Sequence, residues 1–126
     1  MVAHTQWSIA CLALAGGNAA EAARRLAGAI TELETLGMVQ DAARAKLDFA
    51  EALVQLGRFA EVESLCATLV TFFRETSMLT NTLMAAAYLK EAAANRSLSV
   101  EKIRYVKKYL TDVERMPELL FLPPPQ

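Results

Sequence analysis

The sequence predicts an all-α fold: six helices forming three stacked antiparallel helical hairpins, followed by an extended C-terminal tail. Three observations carry this. Apolar residues recur at spacings of three and four along almost the whole chain, the period of a helix that buries one face. The alternating, β-branched runs that mark strands are nearly absent. Finally, LALAGGNAAEAARRLAGAI (residues 12–30) returns forty positions later as ALVQLGRFAEVESLCATLV (residues 52–70), with small residues opposite small ones and bulky opposite bulky. Self-similarity at such a period marks a hairpin repeat, in which no unit buries its own apolar face and each stacks on the next.

A short first helix is expected near residues 4–15. Asn18 can cap the second, with Glu21 three residues on in a variant of the capping box, and Ala22, Leu26, Ala29, Leu33 and Leu36 form its stripe before Gly37 ends it. The third carries Val39, Ala43, Leu47, Ala50, Leu53 and Val54 and stops at Gly57. Phe59, Val62, Cys66, Leu69 and Phe73 are the inner face of the fourth, which breaks at Thr76 or Ser77. Leu79, Leu83, Ala86, Ala87 and Leu89 mark a fifth that fades near Asn95. Ser99 caps the sixth, whose stripe is Ile103, Val106, Leu110 and Val113, and Pro117 stops it near Met116. The hairpins span about 3–37, 38–76 and 77–116, so residues 1–116 form one repeat domain and 117–126 a Pro-rich tail. Leu119, Leu120, Phe121 and Leu122 would expose four large apolar side chains in succession, so the tail is expected to dock on the last hairpin rather than hang free.

Composition narrows the class. A chain of 126 residues is one domain's worth and buries about two thirds of its unfolded surface. With 54% apolar and 21% charged residues it is a folded domain rather than a disordered one. Its net charge of −1 argues against a nucleic-acid or membrane-surface role. The basic set on the last helix, Lys102, Arg104, Lys107 and Lys108 with Arg96 nearby, is diluted by Glu101, Asp112 and Glu114 and complements a helix C-terminus. Cys11 and Cys66 have neither a disulfide framework nor metal-ligand spacing, which points to a reducing cytoplasm. The run WSIACLALAGG has a signal peptide's short apolar core, but no Lys or Arg precedes Trp7, and a buried helix explains it better.

Unit two supplies Phe49, Ala50, Leu53, Gly57, Phe59 and Val62 in order, and unit one supplies Ile9, Ala10, Ala13, Gly17, Ala19 and Ala22. This succession of bulky residue, small residue, helix-ending glycine, aromatic and small residue resembles the tetratricopeptide repeat. The period of forty departs from that family's 34, the proline between units is missing, and the third hairpin matches poorly. The resemblance covers about residues 3–75 and implies a right-handed α-solenoid, without naming a ligand. The later chain, with GRFAEVESLCATLVTFFRE and VKKYLTDVERMPELLFLPPP, is also similar to the C-terminal region of some bacterial regulatory proteins that carry a zinc-binding segment in front, a segment without a counterpart here.

In such repeats the first helix of each hairpin lines a groove. The resemblance therefore implies His4, Trp7, Cys11 and Leu14 from unit one, Arg44, Leu47, Glu51 and Val54 from unit two, and Asn81, Tyr88 and Lys90 from the third. Relatives that grip a terminal carboxylate use lysines and asparagines there. This chain has Arg44, Leu47, Asp48 and Glu51, so that clamp is missing. No nucleophile stands at a telling spacing from a base, and Glu32 with Glu34 or Glu61 with Glu63 point to different helix faces, so no catalytic residue, cofactor or metal is expected. From Trp7 to Gly17 the only polar side chain is Ser8, which makes Trp7, Ile9, Leu12 and Leu14 candidates for self-association as a homodimer. The expectation is a non-enzymatic protein or peptide interaction module. The alternative is a sensor domain of a bacterial transcriptional regulator that takes a peptide or small hydrophobic ligand.

Overall fold

The computed structural model describes residues 2–76, 80–116 and 118–122, with side chains at these positions except 2–4, 73, 76, 80–82 and 114. The described residues form six helices and no strand: α1 (Val2–Ala15), α2 (Ala19–Thr35), α3 (Val39–Gln55), α4 (Phe59–Thr76), α5 (Thr80–Ala94) and α6 (Val100–Arg115). The fold is all-α, as the periodicity predicts. The chain divides into two compact units, Met1–Arg58 and Phe59–Gln126. The second predicted hairpin, 38–76, straddles this division, with α3 in the first unit and α4 in the second.

In the first unit α2 packs on both α1 and α3, and α1 also touches α3. Its core joins Ala10 and Leu14 of α1, Ala22, Leu26, Ile30 and Leu33 of α2, and Ala42, Ala45 and Ala52 of α3. So many alanines at the contact let the helix axes approach closely, while the few leucines supply the bulk of the buried apolar surface.

The three helices of this unit end by one device. Gly17, Gly37 and Gly57 have φ of 84°, 76° and 74°, the left-handed region that glycine enters without a Cβ clash. The next amide then reaches back six residues inclusive: Asn18 N–H donates to Ala13 C=O (2.8 Å), Met38 to Leu33 (2.9 Å) and Arg58 to Leu53 (3.0 Å). With the glycine amide bonded to the carbonyl three before it, this is the Schellman cap, and it satisfies two carbonyls that the helix end would otherwise strand. Helix α5 ends the same way around Arg96, a non-glycine at φ 55°.

Both predicted N-caps are present. Asn18 Oδ1 accepts from Glu21 N–H, and Ser99 Oγ from Lys102 N–H, each at 3.3 Å. The expected capping box is only half made. Asn18 N–H is already spent on Ala13, and the Glu21 carboxylate turns to Arg24 and Arg25. Those two guanidinium groups hold its pKa below the ordinary carboxylate value. Arg25 also donates to Gln6 Oε1 (2.6 Å), and Lys46 pairs with Glu34 (3.0 Å), so polar links flank the α1–α2 and α2–α3 seams.

In the second unit α4 packs on α5, and α5 on α6. Val62, Cys66 and Leu69 of α4, Ala86 and Leu89 of α5, and Ile103, Val106 and Val113 of α6 are buried as predicted. The ends of several predicted stripes are not. Leu36, Val39 and Phe59 are exposed because they sit at a C-cap or at the first helical residue, where a stripe outruns the surface it packs on. Ala87 is also exposed, and on α6 Tyr109 is buried while its neighbour Leu110 is only half-buried. Phe73 and Leu79 lie outside the described side chains and residues, respectively.

Candidate functional site

Two groove candidates of the first unit, Trp7 and Cys11, converge on a residue the repeat phase did not select. Asp48 of α3 is buried, and its Oδ2 accepts from Trp7 Nε1–H at 2.7 Å and from the Cys11 thiol at 3.6 Å. A carboxylate taken out of water needs such donors, so these bonds tie α1 to α3. Trp7 is half-buried and Cys11 is exposed at the rim. Leu47 and Glu51, also groove candidates, are both buried, Glu51 to 2% exposure. Leu14, a candidate for both the groove and self-association, packs in the core of the first unit. Arg44 and Lys90 are exposed and Val54 is half-buried. His4 and Asn81 lie outside the described side chains.

On its other side α1 presents Thr5, Ser8, Ile9, Leu12 and Ala15 to solvent, residues that recur at three and four and therefore share one face. Leu12 is 75% exposed and Ile9 37%. No charged side chain interrupts this strip, and the first Asp, Glu, Lys or Arg in the chain is Glu21.

The second unit holds an aromatic site. Tyr88 of α5 and Tyr105 and Tyr109 of α6 surround the ring of Phe121, with centroids 5.6, 6.1 and 5.1 Å away in tilted or edge-on arrangements. Such geometries set ring edges against ring faces and add to the area term. The Tyr109 hydroxyl donates to Leu119 C=O (2.8 Å), and the Tyr105 hydroxyl donates to Leu122 C=O. Burial raises the Tyr109 phenol above its ordinary pKa; burial, then the charge on Tyr105, does so for Tyr88. The described tail segment, 118–122, therefore docks on the last hairpin through Phe121, as its apolar run predicts, although Leu120 and Leu122 remain 65% and 67% exposed. Tyr88, expected as a groove residue, is half-buried with its ring against Phe121. Tyr105 and Tyr109 were not singled out in the sequence, yet their spacing of four on one helix face, followed by an apolar tail, was the available signal.

Cys66 and Cys11 differ in reach. Burial pushes the Cys66 thiol up to about 11, so it stays a protonated packing group at neutral pH. One thiol per native chain, that of Cys11, is expected to react with a disulfide reagent, and both after unfolding. Two reactive thiols in the folded protein would contradict the packing of α4.

Among the described residues no helix is long and apolar enough to cross a membrane, and no group of three or more His, Cys, Asp or Glu side chains is placed to hold a metal ion. No family model, curated protein or solved structure matches the chain.

Proposed function

We propose that this chain is a non-enzymatic protein-interaction module of tetratricopeptide-like hairpins, acting in the cytoplasm without a cofactor, and that it pairs with itself through the outer face of α1. The observation that carries the reading is the uncharged strip of Thr5, Ser8, Ile9, Leu12 and Ala15, with Leu12 largely in water. A solvent-facing helix ordinarily mixes charge into its outer face, and burying Ile9 and Leu12 would supply about 25 cal/mol for each Å² of apolar surface removed from water. Self-pairing fits because a two-fold interface needs one self-complementary patch, and an apolar strip free of charge carries no like-charge repulsion against its copy. The recurrence of the glycine corner at Gly17, Gly37 and Gly57 supports the repeat reading.

Thermal unfolding over a hundredfold range of protein concentration tests this. Association stabilises the folded state by mass action, so the midpoint should rise with concentration with no additive present. A midpoint independent of concentration, but raised by a hydrophobic small molecule, would favour a ligand sensor instead.

A further inference from the structure

The manner in which the tail is held goes beyond a chain end covering apolar surface. Among the described tail residues the one side chain buried among tyrosines is that of Phe121, and two main-chain carbonyls, Leu119 C=O and Leu122 C=O, are each taken by a phenol. Leu120 and Leu122 point into water. Recognition thus reads one aromatic ring and two carbonyls, at positions −2 and +1 from that ring, on a backbone that is not helical. Any extended peptide carries such carbonyls, and aromatic-lined surfaces with hydroxyl donors are a recurrent way of binding them. The chain's own segment is a partial fit, since half of its four large apolar side chains stay exposed.

We propose that Tyr88, Tyr105 and Tyr109 form a docking site for an extended, phenylalanine-bearing segment of a partner protein, and that residues 119–122 are its resident competitor in cis. The short tether from Met116 holds Phe121 at an effective concentration on the order of millimolar, so an incoming segment must outbind the tail or find it displaced. The site is then closed by default and opens to partners whose flanking residues bury more than Leu120 and Leu122 do. The proposal does not rest on pairing through α1, because every residue it uses belongs to the second unit.

The test is a fluorescence-anisotropy titration of a labelled peptide with the sequence of residues 116–126 into three full-length chains: unmodified, Phe121→Ala and Phe121→Leu. The Phe121→Ala chain should bind the peptide saturably and the unmodified chain at least about tenfold more weakly, because its tethered tail competes. Phe121→Leu keeps an apolar side chain against the tyrosines and should fall between them; it carries the comparison if the alanine chain does not fold. A peptide with alanine in place of the phenylalanine should bind none of the three. Equal binding to all chains, no saturable binding to a folded variant, or undiminished binding of the alanine peptide would overturn the proposal. So would a Leu12→Glu chain that remains dimeric and becomes monomeric on adding Phe121→Ala, since the site's occupant would then be the tail of a second copy.

Discussion

Replacing Leu33 with alanine should cost about 2–5 kcal/mol of stability, whereas the same change at Leu36 should stay within about 0.5 kcal/mol. Both leucines belong to the apolar stripe that periodicity predicts for α2, so sequence pattern alone assigns them similar weight. The structure separates them. Leu33 has no exposed surface and packs in the core shared by α1, α2 and α3, while Leu36 is the C-cap and 53% exposed. Truncating Leu33 to alanine removes three carbons' worth of packing and leaves a cavity among alanines too short to fill it. Truncating Leu36 removes atoms that water already surrounds. Urea denaturation of both variants checks the pair, and equal losses would contradict the packing of α2.

The second large effect concerns the helix corners. Gly57→Val should destabilise by about 1–3 kcal/mol, because a β-branched residue is forced into a left-handed conformation that its Cβ resists. Nothing lies within 4 Å of the position a Cβ would take at Gly57, so the cost is backbone strain at φ 74° rather than a collision with a neighbour. Arg96 closes the corner after α5 with the same pair of hydrogen bonds at φ 55°. Arg96→Gly should therefore change stability in the opposite sense, a gain of about 0.5–1 kcal/mol from relieved strain, net of the freedom glycine adds to the unfolded chain. Unchanged unfolding midpoints in both variants would remove the strained-corner account.

What the sequence made legible follows from which forces are local. Helix stops at Gly17, Gly37 and Gly57 and the caps at Asn18 and Ser99 are demands of the backbone itself, so a few adjacent letters specify them. The stripes were legible in their middles and misleading at their ends, since burial of Leu36, Val39 or Phe59 depends on how far a neighbouring surface extends. Glu51 and Asp48 were harder still. A carboxylate enters an interior only where distant donors receive it, and Trp7, forty-one positions before Asp48, is not identifiable as such a donor from spacing. Leu14 shows a related limit of the groove phase: a bulky apolar residue at helical spacing packs in the core of the first unit, which spacing does not distinguish from a groove position. For the tail, four apolar residues in succession signalled docking, but the receiving tyrosines lie on two helices that only the fold brings together.

Light scattering across a concentration series, on the unmodified chain and on Leu12→Glu, addresses self-pairing through α1 most directly. Leu12 is 75% exposed, so a glutamate there disturbs no packing within the unit and should leave the monomer folded, while two such charges meeting across a two-fold axis would repel. The account predicts that the unmodified chain reaches twice its monomer mass as concentration rises and that Leu12→Glu remains at the monomer mass throughout. A monomer at every concentration in the unmodified chain would contradict self-association, and a Leu12→Glu chain that still dimerises would move the interface away from α1.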